Sequence, residues 1–206
     1  MNISSIQFVL STGNYLRYKQ MKIIIIGGVA GGATTAARFW RVDDPAEIIL
    51  LEKGKYISYA NCGLPYYIGG VIEERDKLFV QTPEAFSTRF RVDVRTEHEA
   101  IFIYRNRKTV TIRQSSEDTY EENYDKLVKS TGASPVRPPL PGIDLSGIFT
   151  LRNVTDTDRI KEYIKSHAPR KAVVVGAGFI GLEMAEHLHA QGARVSIVEM
   201  GNRVMA

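Results

Sequence analysis

The 206 residues include one cysteine, one tryptophan and four histidines. The lone thiol, Cys62, excludes an internal disulfide framework and any multi-cysteine zinc or iron–sulfur site. It suits a reducing compartment, so a cytoplasmic location is expected. His98, His167, His187 and His189 match no metal-site or catalytic-base spacing. No metal is therefore expected, and His167 should only pack on the apolar face of a helix. No apolar run approaches the ~18 residues of a membrane span. Net charge is +4, and Arg17 and Lys19 supply half of it. The remainder is nearly balanced, which argues against nucleic acid or a membrane surface as partner. Residues 1–20 lack the basic start and cleavage site of a secretory signal and are expected to be a disordered leader.

What is present has the balance of an ordinary folded protein, with 44% apolar and 24% charged residues. Four isoleucines at 23–26 read as a parallel strand covered on both faces. A helix is expected over 33–41, broken at Asp43-Asp44-Pro45, and then a strand over 48–51 that ends in Glu52. Strands are expected at 92–94, 101–104 and 109–113, the last two forming an inserted hairpin that turns at 106–108. A polar loop should cover 114–123, and another strand 126–130. The proline-rich stretch 134–142 can continue neither a helix nor a central strand and is the best linker candidate. Ile160, Tyr163, Ile164 and His167 share one helical face, and a second strand–glycine–helix–strand unit runs from 172 to 199. These elements predict an α/β, Rossmann-like three-layer fold with an inserted β-hairpin. Only βαβ of the second unit is present and its last strand would be left with an unpaired edge. Both nucleotide units are therefore expected to be incomplete, and the chain to be part of a longer protein.

The second glycine turn, Gly176-Ala177-Gly178-Phe179-Ile180-Gly181, matches G-x-G-x-x-G in full. Gly176 permits the tight turn, Gly178 has no Cβ to block a pyrophosphate, and Gly181 lets the helix pack on its strand. The helix N-terminus offers free N–H groups to phosphate. Glu199, at the end of the following strand, can accept from ribose hydroxyls. The competing reading is a tight packing turn. The first turn, Gly27-Gly28-Val29-Ala30-Gly31-Gly32, departs from the pattern at Val29, whose Cβ would limit the approach of a pyrophosphate; Glu52 again closes its strand. Two such units together point to two dinucleotides and an electron path from a nicotinamide to a flavin. One nucleotide, or none, on a repeated sheet is the alternative.

A lone cysteine is more often a small buried hydrophobe than a nucleophile. Cys62, however, follows Glu52 by one short connection, and Gly63 leaves its surroundings open. Pro65 suits the first turn of a helix, which would put the thiol near a helix N-terminus, a position that favours thiolate. The run SYANCGLPYYIGG (58–70), with GGVAGGATTAARFWR, LEKGKYI, VQTPEAF, DVRTEHEA, YDKLVKSTGASP, FTLRNVTDTD and GAGFIGLEMAE, resembles the CoA-disulfide reductase branch of the FAD-dependent pyridine nucleotide–disulfide oxidoreductases. The resemblance covers 21–206, and members also carry GGVAGG. Relatives with C-x-x-x-x-C form an internal disulfide. Here Tyr67 stands in the place of the second cysteine, so a single thiol must cycle through a mixed disulfide or persulfide with substrate, or through sulfenic acid.

The resemblance implies an FAD-binding part over 21–145 and the start of an NAD(P)-binding part over 146–206. It implies that electrons run from NAD(P)H at Gly176, Gly178, Phe179, Ile180, Gly181, Glu183 and Glu199 through FAD to Cys62. FAD would be held by 27–32, Glu52, Lys53, Ala100, Thr131 and Gly132. The acceptor would be CoA disulfide, or CoA persulfide and polysulfide. An NADH oxidase or peroxidase cycling through sulfenic acid, or an inactive nucleotide-binding fragment, are the alternatives. Thr34, Arg38, Arg41, Ser58 and Asn61 are implied substrate contacts. Thr34, Arg38 and Arg41 do share one helical face, where two arginines could grip CoA phosphates, although a solvated basic face would have the same spacing. Glu199 opposes a 2′-phosphate while Arg203 stands four residues on, which leaves NADH against NADPH open. The family's second flavin motif and its dimerisation domain are absent from these residues. A homodimeric parent is implied, and little turnover is expected of these residues alone.

Overall fold

A computed structural model of the chain describes residues 20–42 and 46–205. Residues 1–19 of the leader expected over 1–20, and the helix break at 43–45, lie outside the described residues. The first unit comprises strand β1 (Lys22–Ile26), helix α1 (Ala30–Val42), strand β2 (Glu47–Glu52), a 3-10 turn (Asn61–Gly63), helix α2 (Leu64–Gly69), a second 3-10 turn (Arg75–Leu78), helix α3 (Pro83–Phe90) and strand β3 (Asp93–Thr96). Strands β4 (His98–Tyr104), β5 (Thr109–Gln114), β6 (Thr119–Asn123) and β7 (Lys126–Lys129) follow. Beyond the irregular 130–153 stretch come helix α4 (Val154–His167), strand β8 (Lys171–Val175), helix α5 (Phe179–Ala190) and strand β9 (Arg194–Val198).

The isoleucine run explains the layering. β1 pairs in parallel with β2 and β7, and β2 with β3, giving the strand order β3-β2-β1-β7. Side chains alternate across the sheet. Ile23, Ile25, Ile48 and Leu50 therefore face α1 and α3, where Ala33, Ala36, Phe86 and Phe90 cover them. Ile24, Ile26, Ile49 and Leu51 face the opposite way, onto Val110 and Ile112 of β5. With both faces buried, the strand needs no polar residue. Truncating one of these fully buried side chains to alanine costs about 2–5 kcal/mol.

Four expectations need correction. α1 begins at Ala30 rather than at 33, so Gly31 and Gly32 lie inside its first turn. The inserted hairpin is a three-stranded antiparallel sheet, β4-β5-β6, because 119–123 pairs with β5 instead of looping. The reason is an alternation hidden among polar residues: Tyr120 and Glu122 turn inward while Thr119, Glu121 and Asn123 turn out. The third concerns His167, which is exposed and stacks on Tyr163 with ring centroids 4.1 Å apart. The strand expected at 92–94 starts one residue later, after the buried Val92. The second unit forms a separate parallel pair, β8-β9.

The inward turn of Glu122 ties β6 to the parallel sheet. Lys22 Nζ donates to Glu122 Oε2 at 2.6 Å, and Arg95 Nη1 donates to Glu122 Oε1 at 2.7 Å. Lys22 also pairs with Glu47 and Arg95 with Asp93. Burial pushes the Glu122 carboxyl up, but the hydrogen bonds from Lys22 and Arg95 outweigh it and hold the carboxyl below the ordinary range. A depressed folded pKa gives stability that is present above the unfolded pKa and lost as pH falls through the folded one. Glu122→Gln should therefore lower stability by about 1–2 kcal/mol at pH 7. The gap to wild type in urea unfolding should close as pH falls below about 4.

Candidate functional site

Each glycine turn is built the same way. Gly27 has φ 101° and Gly176 has φ 97°, left-handed positions that favour glycine. A Cβ on Gly32 would overlap the carbonyl of Gly27, and one on Gly181 the carbonyl of Gly176. The third glycine of each turn is thus demanded by the helix lying directly on the turn. The strand-end acids complete the pattern. Glu52 accepts from the N–H of Gly28 and of Gly54, both at 2.8 Å. Glu199 accepts from Ala177 N–H at 2.7 Å and Gly201 N–H at 2.8 Å. The bonds from Gly201 and Ala177 hold the Glu199 carboxyl below its usual range. Each carboxylate fixes the second residue of its turn and retains lone pairs that could accept from ribose.

The two turns differ at their middle position. Gly178 faces open space, with nothing within 4 Å of where a Cβ would stand, and Phe179 and Ile180 beside it are exposed. Val29 does not stand open: it packs on a cluster of Tyr59, Leu64, Tyr67, Leu78 and Val154. The valine therefore anchors the cysteine segment to the first turn. Ser58, at φ 46°, donates its N–H to Gly28 O at 3.0 Å. The end of β7 closes the other side, with Ser130 N–H donating to Ile26 O at 2.7 Å. Thr131 and Gly132 follow under Arg152, whose Nε donates to Ala133 O at 2.7 Å. The structure thus brings together 27–32, Glu52, Ser58 and 131–132. Lys53 is exposed next to Glu52, and Ala100 lies half-buried in β4 where the pairing register shifts. Thr34, Arg38 and Arg41 line the exposed face of α1.

Cys62 is exposed in the 3-10 turn directly before α2, with Pro65 in that helix's first turn. α2 has only six residues, so little helix dipole reaches the thiol. Beside the sulfur's residue, Asn61 Oδ1 is buried without a hydrogen-bond partner. A buried acceptor without a protein partner calls for a donor from water or a bound group. With the open position at Gly178 and the two turns, the residues present fit two dinucleotide-type cofactors.

How the second unit meets α2 is not legible in the local pattern. Lys161 of α4 donates to Tyr67 O at 2.8 Å, and Gln191 after α5 donates to Ile68 O at 2.6 Å. His187 is buried edge-on against Tyr66, and Arg75 forms a bidentate pair with Asp158 of α4. Glu183 lies 3.5 Å from the Tyr66 hydroxyl. The only signal available beforehand was the i, i+4 spacing of Glu183 and His187, which shows a shared face but not what it meets.

The chain matches the family model for pyridine nucleotide–disulphide oxidoreductases over residues 21–206. It is 44% identical over 185 residues to the coenzyme A disulfide reductase of Staphylococcus haemolyticus, spanning 89% of this chain and 41% of that protein. Among solved structures it is similar to reduced CoADR-RHD of Bacillus anthracis, with TM-score 0.89 and 54% identity over 92% of this chain and 34% of that one. A NAD-dependent persulfide reductase from A. fulgidus gives TM-score 0.85 and 43% identity, covering 89% of this chain and 34% of that one. The chain therefore spans less than half the length of these relatives.

The two glycines of the second turn should separate in thermal unfolding. Gly181→Ala, forced against the Gly176 carbonyl, should cost about 2–3 kcal/mol. Gly178→Ala, at φ −79° in open space, should stay within about 0.5 kcal/mol of wild type.

Proposed function

We propose, from the premise that this chain belongs to the pyridine nucleotide–disulphide oxidoreductase family, that it is the cysteine-bearing part of a flavin-dependent reductase of CoA disulfide or CoA persulfide. In this reading 21–145 holds FAD and 146–206 begins the NAD(P)H site. The parent works as a homodimer in the cytoplasm. No helix among the described residues is long and apolar enough to cross a membrane. FAD, when bound, supplies the relay that passes two electrons from a nicotinamide dinucleotide to the thiol centre.

One observation carries the reading. The sole cysteine is exposed on a segment anchored to the first glycine turn, and its helix is anchored to the second unit. With no second thiol in reach, the Cys62 thiolate attacks one sulfur of CoA disulfide. The substrate S–S bond breaks, a Cys62–S–S–CoA bond forms, and one CoA thiolate leaves. Two electrons and a proton then cleave the mixed disulfide and return the Cys62 thiolate and a second CoA. Arg38 and Arg41 hold the CoA phosphates, Thr34 and Ser58 flank them, and Asn61 supplies an acceptor beside the reacting sulfur.

Mass spectrometry of the reduced chain after exposure to CoA disulfide should show a single CoA added at Cys62, and none in Cys62→Ser. Arg38→Ala and Arg41→Ala should each slow the addition about tenfold. Both should leave reaction with uncharged hydroxyethyl disulfide unchanged. If CoA disulfide proves inert while peroxide converts Cys62 to sulfenic acid, the oxidase or peroxidase reading replaces this one.

A further inference from the structure

Gly70 ends α2 at φ 83°, and residues 71–81 then fold back as a strap along the cysteine segment. The strap meets that segment on both sides of Cys62. Before the cysteine, Ser58 O accepts from Val80 N–H at 2.8 Å and Ala60 N–H donates to Leu78 O at 2.8 Å. Tyr59 bridges Phe79 between them. After the cysteine, a Cβ on Gly63 would lie 3.2 Å from both Ile72 Cδ1 and Leu78 Cδ2. These two side chains therefore stand against the residue that follows the thiol. Arg75 begins the 3-10 turn inside the strap and reaches across to α4. Its Nε donates to Asp158 Oδ1 at 3.0 Å and its Nη2 to Asp158 Oδ2 at 2.8 Å, a fork on one carboxylate. Nη2 also donates to the Tyr56 hydroxyl at 2.8 Å. The guanidinium carbon lies 4.9 Å from the centre of the Tyr56 ring and 5.2 Å from that of Phe79. Both rings border the apolar cluster of Tyr59, Leu64, Leu78 and Val154. With side chains 31% and 37% exposed, the ion pair is partly screened and its charge alone is worth little. What it supplies is orientation, because a planar guanidinium fork fits a carboxylate in one way.

We propose that Arg75 is a positioning residue for Cys62: its fork on Asp158 seats the strap on the cysteine segment and so fixes that segment relative to the first glycine turn. The other end of the same segment is already tied there, through Ser58 N–H and Gly28 O. The inference rests on Cys62 being the reacting group of the proposed function. A long disulfide held by its phosphates at Arg38 and Arg41 needs the sulfur at a fixed distance from α1. A short uncharged disulfide has no such requirement. Arg75 therefore acts on the one reaction and not on the other.

Two readouts on the 206-residue chain test this, and the first needs no substrate. In Arg75→Met the amides of Ala60, Gly63 and Val80 should exchange with solvent about tenfold faster by NMR, while those of 23–26 keep wild-type rates. In the second, addition of CoA to Cys62 from CoA disulfide should slow about three- to tenfold, while addition from hydroxyethyl disulfide stays within about twofold. Asp158→Ala should give the same pattern, and the double variant no larger an effect than either single one. Arg75→Lys keeps the charge without the fork and should fall between Arg75→Met and wild type. Arg107→Met, which removes the surface ion pair with Glu121, should match wild type throughout. Wild-type exchange at Ala60, Gly63 and Val80 in Arg75→Met would overturn the proposal, since the apolar cluster would then seat the strap unaided. Equal slowing of both disulfides would overturn it too, because the thiol and not its placement would have changed. If CoA disulfide adds to no form of the chain, wild type included, the proposed function fails and the exchange measurement decides on Arg75 alone. If Arg75→Met loses its native circular dichroism, Arg75→Lys takes its place, and wild-type exchange at those three amides ends the proposal.

Discussion

Within six residues α2 can satisfy few of its own carbonyl groups, the Gly70 cap N–H reaching back to Tyr66 O and Tyr67 O. Further donors come from outside the helix: Val71 N–H reaches Tyr66 O, Lys161 reaches Tyr67 O, and Gln191 reaches Ile68 O. A helix of this length does not hold its shape alone in water. The geometry of the cysteine segment is therefore imposed by its neighbours. Val29 and the first glycine turn hold its start, and α4 and α5 hold its end. The candidate reacting residue thus directly precedes a helix that both units hold in place.

The two glycine turns show one backbone solution applied twice. In each, a glycine at positive φ, a glycine under the helix and a strand-end glutamate lock the turn before any ligand is considered. The middle position is the variable one. Gly178 leaves space, whereas Val29 gives up space for an apolar anchor under Tyr59, Leu64 and Tyr67. A bare fingerprint reads Val29 as a defect in nucleotide binding. In the fold it is the residue that ties the cysteine segment to the turn.

How much of this was legible in the sequence follows from the range of each interaction. The isoleucine run, the glycine spacings and the strand-end acids are local patterns, and they located β1, both turns and both carboxylates. Strand β6 was hidden because its inward residues are Tyr120 and Glu122, and the glutamate is buried only with Lys22 and Arg95 as partners from far along the chain. The first turn of α1 does not read as helix because glycine is a poor helix former; the close approach of Gly32 to Gly27 overrides that propensity. Tyr66, Lys161 and Gln191 carry no local signal, for one shared reason. Each is an ordinary residue on its own element, and only the docking of α4 and α5 on α2 gives it a task.

That docking works in both directions. A two-stranded sheet is marginal by itself, and β8-β9 leaves Val173, Val175 and Val198 largely exposed. An apolar contact lies on its other side: Met184 and Ile160 close on Ile68, with Leu151, Ile164 and Leu188 around them. The apolar contact that steadies the second unit is thus the same contact that fixes the cysteine helix. Loosening α5 from α2 would free the helix carbonyls, the His187 ring and the Glu183 carboxylate together. The cysteine helix and the helix that leaves the second glycine turn are therefore held by the same set of contacts.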